Sequence, residues 1–144
     1  MSKKISVTLK NDLSEIERLS KLIEDFGEIN NLSPKIIFDV NLTLDELITN
    51  IISYGYEDED EHKIIVTIWL NGNQLKLKIV DDGLPFNPLT IQEPDHLTQT
   101  LDDRPMGGLG IYLVRKLMDH LEYKREQNKN MLLLTKLIDK KIVK

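Results

Sequence analysis

Five segments of the chain are predicted to be strands, and in the first of them apolar residues alternate with polar neighbours, as in a strand that buries one face. These segments are residues 5–9, 64–70, 75–80, 121–126 and 131–137. An Asn-Gly-Asn tripeptide separates the second segment from the third, and Asn-Lys-Asn separates the last two. The first tripeptide is a typical hairpin turn, and the second is also rich in turn-forming residues.

Apolar residues three and four positions apart predict three helices. The first begins near Asn11 or Asp12, where either side chain can cap it. The second begins at Ser33-Pro34, a cap residue followed by a proline, and extends to about residue 54. The third is predicted over residues 108–121. Strands at both ends of the chain with three helices between them predict an α+β fold, a two-layer sandwich.

Composition narrows the class of protein. The 144 residues are 40% apolar and 30% charged, which predicts one globular domain over residues 1–144. The chain has no cysteine, so thiol nucleophiles, cysteine-ligated zinc and disulfides are excluded. A net charge of −5 argues against nucleic acid as a partner. No apolar run approaches the roughly 18 residues that span a membrane, so we expect a cytoplasmic protein with no membrane partner.

Residues 84–106 show no periodicity and contain four of the five prolines. Gly83 precedes this segment and Gly107 follows it. A structureless segment longer than roughly 15 residues in a compact domain is usually functional. It is therefore either a lid over a site or a mobile surface excursion, and its length does not decide between the two. The acidic run at 57–61 is expected to be a solvated linker.

Four polar side chains share one face of the second helix, because Asp39, Thr43, Glu46 and Asn50 are spaced by four, three and four residues. A carboxylate and an amide one turn apart suit a hydrated magnesium ion. The glutamate can instead act as a general base toward a hydroxyl group. Such pairs are also common on ordinary exposed helix faces, so this signal is weak by itself.

Two further motifs lie at the ends of predicted elements. Asp81 and Gly83 follow the third strand, where a carboxylate can accept the exocyclic N–H of adenine. The same residues are also good turn formers. Further on, Gly107-Gly108-Leu109-Gly110 opens the third helix and exposes backbone N–H groups that can bind phosphate. The alternative for this motif is the end of a glycine-rich loop.

The three motifs together resemble the ATP-binding domain shared by gyrase-type topoisomerases, histidine kinases, heat-shock-90 chaperones and mismatch-repair proteins, the Bergerat fold. The matching residues are Glu46 and Asn50, then Asp81-x-Gly83, then Gly107-Gly108-x-Gly110. Within this superfamily the chain is most similar to the small anti-sigma-factor serine/threonine kinases, through residues 81–88 and 104–119. The resemblance implies a mixed, mostly antiparallel sheet with helices on one face.

The resemblance also implies a role for each matching residue. Asp81 would bind the adenine amino group, with Thr135 on the last strand assisting through water. Asn50 would ligate Mg²⁺ that bridges the phosphates of ATP, and Glu46 would be the general base. The backbone at Gly108, Leu109 and Gly110 would cradle the phosphates, and residues 84–106 would close as a lid. Arg104 is a further candidate for phosphate binding, from its position and charge alone.

The chain departs from the family pattern in two places. Pro85 stands where the second motif commonly has another glycine, and Ser53-Tyr54 replaces a stretch that often holds a basic residue. Neither change removes a group that the chemistry needs. The three histidines lie far apart and have no ligand spacing, so each is interpreted as an exposed residue without a role.

The resemblance implies a protein serine/threonine kinase in a partner-switching circuit. Such a protein binds a sigma factor and phosphorylates a STAS-type antagonist protein, and it can form a homodimer. An ATP-sensing interaction module without kinase turnover is the alternative, although the intact Glu46 argues against it. A water-directed ATPase is a third possibility, since the same glutamate would serve it.

Overall fold

A computed structural model describes residues 3–90 and 108–138 of the chain. Five strands and three α-helices form this part, together with one short 3-10 turn, Pro88–Thr90. In chain order the elements are β1 (Lys4–Lys10), α1 (Glu15–Ile29), α2 (Pro34–Tyr54), β2 (Lys63–Asn71), β3 (Gln74–Asp81), α3 (Gly108–Leu117), β4 (His120–Glu126) and β5 (Lys129–Leu137).

The strands form one sheet in the order β1-β2-β3-β5-β4. All four strand pairings are antiparallel. The described sheet is therefore purely antiparallel, whereas the resemblance implied a mixed, mostly antiparallel sheet. The buried core joins alternate strand residues to the apolar sides of α1, α2 and α3, which places all three helices on one face of the sheet. The predicted two-layer α+β fold is confirmed.

The ends of α2 follow the predicted chemistry. Ser33 has extended backbone and its hydroxyl accepts a hydrogen bond from the Ile36 N–H at 3.2 Å, while Pro34 occupies the first helical position. At the other end the Gly55 N–H donates to the Ile51 carbonyl at 2.8 Å. This helix carries the polar side chains of the first motif, so its capped start fixes where they lie.

Three predicted boundaries are wrong. The helix α1 begins at Glu15, because the Asp12 carboxylate accepts from the Ser14 N–H in a turn that precedes the helix. The helix α3 ends at Leu117, four residues earlier than expected. In the last hairpin the turn lies at Gln127 and Asn128, whose φ angles are 53° and 62°. Asn130, which was predicted to be part of the turn, is therefore a residue of β5.

The connection from α2 to β2 is held by His62. Its ring stacks on Tyr56, with centroids 4.1 Å apart, and its two nitrogens lie 2.6 Å from an Asp58 oxygen and 3.1 Å from an Asp82 oxygen. The hydrogen bond to Asp58 and then that to Asp82 raise the pKa of the His62 imidazole, against the opposing effect of desolvation. Its side chain is only 17% exposed, so the interpretation of His62 as an exposed residue without a role is wrong.

None of the described helices is both long enough and apolar enough to cross a membrane. The described strands all belong to the single five-stranded sheet.

Removal of the α2 cap provides a test of this local structure. We expect Ser33→Ala to lower the free energy of unfolding by about 1 kcal/mol, because the Ile36 N–H loses its acceptor. Ser14→Ala is the matched control, since the Ser14 side chain makes no cap hydrogen bond on α1. Chemical denaturation of both variants measures the difference, and equal losses would contradict a specific cap at Ser33.

The contacts of His62 predict a pH-dependent stability. Its pKa is higher in the folded chain than the value of about 6.5 expected after unfolding, so the charged contacts stabilise the fold fully below that pH. The stabilisation is lost as the pH rises through the folded pKa. We expect His62→Gln to lower the melting temperature more at pH 6 than at pH 9. His120→Gln is the control, because its imidazole makes only an exposed ion pair with Glu122 and such pairs contribute little to stability.

Candidate functional site

The alternation of β3 carries a carboxylate into the helix layer. Leu75, Leu77 and Ile79 face the core, and Asp81 continues the same face as a residue only 5% exposed. Its Oδ1 accepts hydrogen bonds from the Gly83 N–H at 2.8 Å and from Asn130 Nδ2 at 3.0 Å. Burial raises the pKa of the Asp81 carboxyl, and these two hydrogen bonds oppose the rise. Among the described residues nothing donates to Oδ2.

Asn130 is the residue that the sequence analysis missed. It pairs with Asp81 across β3 and β5, and its amide also donates to the Leu84 carbonyl at 2.8 Å. Its oxygen accepts from the Tyr123 hydroxyl and from the Phe86 N–H. One buried side chain therefore connects the carboxylate to the start of the 84–106 segment and to β4. The sequence did contain a signal for it: Asn130 lies two residues before Leu132 and four before Leu134, so it faces the helix layer as they do.

Gly83 brings the strand end against the end of α2. A Cβ at this position would lie 2.5 Å from the Gly55 carbonyl oxygen and 3.0 Å from Asp81 Oδ1. The Leu84 N–H donates to that same Gly55 carbonyl at 2.7 Å, and Arg125 Nη1 donates to the Gly83 carbonyl at 2.7 Å. The close approach requires glycine and sets the distance between α2 and the end of β3.

A cavity of about 130 Å³ opens between α2 and β3, next to Asp81. Most of its lining is apolar, including Leu47, Ile79 and Phe86. Asn50 and Asp81 are among its few polar residues. An apolar cavity with a few convergent polar groups is the usual form of a small-molecule site. The structure thus brings the first and second motifs together around one cavity.

The first and third motifs meet where α3 crosses α2. A Cβ at Gly110 would lie 2.2 Å from Glu46 Oε2, so the glutamate carboxylate packs directly against the first turn of α3. The backbone of residues 108–110 is helical and forms the N-terminus of that helix. Burial, followed by the nearby charge of Asp45, raises the pKa of the Glu46 carboxyl. A raised pKa brings a carboxylate closer to the range of an effective general base.

The other end of the α2 stripe is closed by a salt bridge. Lys136 Nζ lies 3.3 Å from Asp39 Oδ2 and donates to the Leu117 carbonyl at 2.6 Å. An ammonium group at the C-terminal end of α3 is also favoured by the helix dipole. Thr43, between Asp39 and Glu46 on the stripe, is fully buried and its hydroxyl has no hydrogen-bond partner in residues 3–90 and 108–138. The four predicted residues do share one face.

The first residues of the predicted lid are bound to the domain. Phe86 packs on the core, and Arg115 of α3 donates to the carbonyls of Pro88 and Leu89. Leu84 is 42% exposed beside the cavity. The rest of the lid, which includes Arg104, lies outside the described residues, and so does Gly107 after it. Their predicted roles stay predictions.

The prediction for Thr135 is wrong. Thr135 pairs with Lys76, five positions along the strand from the Asp81–Asn130 pair, and its hydroxyl accepts a hydrogen bond from Lys76 Nζ at 2.8 Å. Because side chains alternate between faces, an odd separation puts Thr135 on the face opposite to Asp81. It cannot contact a ligand bound by Asp81, and Asn130 takes the place next to that carboxylate.

Asn50 fits the predicted metal ion in a limited way. Its Nδ2 is buried and has no hydrogen-bond partner in the described part of the chain, and rotation of the amide would present Oδ1 instead. The described residues contain no group of three or more His, Asp or Glu side chains suited to a metal. One protein oxygen is enough for Mg²⁺, which keeps several waters and binds mainly through phosphates. The donor set therefore suits a magnesium–nucleotide complex.

Proteins with similar sequences include two protein kinases. The chain is 29% identical over 108 residues to serine-protein kinase RsbW of Bacillus mycoides, which covers 73% of this chain and 66% of that protein. It is 32% identical over 103 residues to serine/threonine-protein kinase BtrW of Bordetella bronchiseptica, which covers 72% of each. The chain thus spans about two thirds of the length of these kinases.

A crystal structure with RsbU and RsbW domains from Mycobacterium tuberculosis has the same fold, with a TM-score of 0.67 over 93% of this chain and 32% of that chain. At 13% sequence identity this likeness concerns the fold alone. The family model for the histidine kinase-like ATPase domain matches residues 9–136. These findings confirm the resemblance to Bergerat-fold ATPases of the serine/threonine kinase type. The chain belongs to the histidine kinase-like ATPase family.

Proposed function

We propose that the chain binds ATP with Mg²⁺ and transfers the γ-phosphoryl group to a serine or threonine of a partner protein. The observation that carries the proposal is the position of Asp81. Its carboxylate is buried in the helix layer with Oδ1 held by two donors, beside an apolar cavity. The remaining oxygen is an acceptor suited to the exocyclic N–H of adenine, which guanine does not present at that position.

The phosphates would lie at the N-terminus of α3. Residues 108–110 offer backbone N–H groups at the positive end of the helix dipole, and Gly110 lies beside Glu46. When bound, Mg²⁺ neutralises the charge on the phosphates, and Asn50 is the residue that would hold it. Residues 84–106 would close over the nucleotide as a lid of this single domain, with Arg115 holding their first residues on α3.

Glu46 would be the general base. The acceptor hydroxyl gives its proton to the Glu46 carboxylate as its oxygen forms a bond to the γ-phosphorus. The bond from that phosphorus to the β,γ-bridging oxygen breaks, and ADP leaves with the electron pair. Burial of Glu46 and the contact with Gly110 support this role, because the carboxylate lies where the phosphate-binding turn begins.

The similarity to RsbW and BtrW supports a protein as the phosphate acceptor. We propose that the acceptor is a STAS-type antagonist, that the chain also binds a sigma factor, and that it acts in the cytoplasm. An interaction module without turnover and a water-directed ATPase remain the outcomes to separate from this one by experiment.

Asp81→Asn tests the adenine site. The new amide keeps an oxygen for Gly83 and Asn130 but replaces the acceptor Oδ2 with a donor, so the fold should persist and ATP binding should be lost. In the wild type, Mg-ATP at 100 times its dissociation constant adds about 2.7 kcal/mol, roughly 5–10 °C in melting temperature. The variant should show no shift. Asp82→Asn, the same change at the next residue, should retain it.

A shift in Asp81→Asn equal to that of the wild type would contradict an adenine site at Asp81. Absence of a shift in the wild type at millimolar Mg-ATP would contradict nucleotide binding as a whole.

Glu46→Gln tests the general base. The amide has nearly the same shape but cannot accept the proton, so we expect phosphotransfer to a STAS-type antagonist to fall by roughly 10²–10⁴-fold while ATP binding is kept. Asp45→Asn is the control and should remain active. Because the Asp45 charge raises the pKa of Glu46, this control should move the acid limb of the rate profile to lower pH.

Unchanged transfer in Glu46→Gln would contradict the assignment of the base. Phosphate release from ATP without any protein acceptor, also lost in that variant, would favour the water-directed ATPase. ATP binding with neither reaction would favour the interaction module.

A further inference from the structure

The two layers of the fold carry opposite charge. The three helices contain eight carboxylates and five cationic side chains, and all eight carboxylates lie in α1 and α2. The strand positions that face away from the helices contain seven lysines and two glutamates, on a chain whose net charge is −5. The lysines are Lys4, Lys10, Lys63, Lys76, Lys78, Lys124 and Lys129. We call this surface the open sheet face.

An apolar row crosses the middle of the open sheet face. Ile65, Val80 and Met131 lie side by side on the three central strands, because the register pairs the first with the second and the second with the third. Ile65 is 37% exposed, and Val80 and Met131 are half-buried. Soluble domains normally cover such an apolar stripe on a sheet with another layer of structure. The described helices all pack on the other face.

Lysines lie on both sides of this row. Lys78 occupies the neighbouring row on one side, and Lys63 and Lys129 occupy the row on the other side. The side chains of these three lysines make no hydrogen bond and no ion pair within the described part of the chain. By contrast, Lys10 pairs with Glu61 and Lys124 pairs with Glu126. The three ammonium groups are therefore free to meet carboxylates of another molecule.

A surface concavity lies at one end of the apolar row. Its volume is about 320 Å³, and its lining includes Lys63, Ile65, Val80 and Lys129. Glu61 and Asp82 also line it, on the side of the acidic connection. His62 and Asp81 complete the lining, so the lysines share it with three carboxylates and the concavity itself is not cationic. Ile65 and Val80 give it an apolar side against which one apolar side chain of a partner can pack.

We propose that the open sheet face binds an amphipathic helix of a partner protein, with its apolar side on the Ile65–Val80–Met131 row and with carboxylates along both flanks. The helix would complete a third layer on the sheet. Glutamate or aspartate residues on its flanks would meet Lys78 on one side and Lys63 and Lys129 on the other. The partner segment is thus defined by its chemistry, acidic and amphipathic.

Three other occupants fit the face less well. A second copy related by a two-fold axis would bring together two faces that each carry an excess of lysines, and like charges repel. Nucleic acid is a polyanion that the net charge of −5 and the acidic helix layer would repel at long range. An anionic membrane would use the lysines but not the narrow apolar row between them.

The test uses a synthetic amphipathic helix of about 20 residues, roughly 30 Å long, with leucines on one side and glutamates on both flanks. Binding is measured by fluorescence anisotropy of the labelled peptide, on the full chain. Lys78→Glu combined with Lys129→Glu should weaken binding at least tenfold. The matched control, Lys21→Glu with Lys116→Glu, makes the same charge change on the helix side and should bind as the wild type does. Ile65→Thr, which keeps a β-branched residue in β2, should also weaken binding.

The wild-type affinity should fall with added salt, and a peptide with glutamine in place of glutamate should bind at least tenfold more weakly. Equal losses in the two double variants would overturn the proposal, and so would equal binding of the two peptides. The outcome for a membrane site would be different: vesicles of phosphatidylcholine and phosphatidylglycerol at 3:1 would bind the wild type but not Lys78→Glu, and the peptide would not bind. That result would assign the face to membranes instead. A concentration-dependent dimer abolished by Lys78→Glu and Lys129→Glu would assign it to a second copy.

Discussion

A buried carboxylate needs hydrogen-bond donors in place of the water that it loses, and the structure around Asp81 supplies two of them. One donor is the Gly83 N–H, which needs a sharp turn directly after β3 and a residue without a Cβ beside Gly55. The other is the Asn130 amide, which is itself held by the Tyr123 hydroxyl and by backbone at the start of the 84–106 segment. The strand end and the last hairpin are thereby joined at one oxygen atom, and the Leu84 N–H connects them to the end of α2 through the Gly55 carbonyl. The second oxygen stays available for a ligand.

The polar stripe of α2 extends this arrangement along the helix layer. At one end Asn50 lines the cavity next to Asp81, and one turn earlier Glu46 packs against Gly110 at the start of α3. At the other end Asp39 and Lys136 connect α2 to the last carbonyl of α3. The helix α3 is therefore fixed against α2 at both of its ends. Its N-terminus, where phosphate would bind, cannot move relative to Glu46 without disturbing one of these contacts.

The two faces of the sheet serve different chemistry. The inner face delivers Asp81 and Asn130 to the helix layer, next to the cavity where we propose that ATP binds. The outer face concentrates lysines around an apolar row, while α1 and α2 carry the excess of acidic residues. Val80 on the outer face and Asp81 on the inner face are consecutive residues of β3, the central strand of the sheet. A molecule bound to the outer face would contact the strand that carries the site carboxylate.

Local sequence determined the elements and the motifs, because alternation, helical spacing, the Ser33-Pro34 start and the glycines act over a few residues. It placed Glu46, Asn50, Asp81 and Gly110, and the resemblance drawn from them predicted the family. The register of the last hairpin was decided by tertiary structure. A turn at Gln127 and Asn128, instead of one centred on the Asn-Lys-Asn tripeptide, makes Asn130 a buried partner of Asp81. The pairing of β3 with β5 then puts Thr135 on the opposite face. The contacts of His62 with Asp58 and Asp82 also depend on chain segments that meet only after folding. Residue type and spacing carry no information on such pairings, since these depend on which strands lie side by side and in which register.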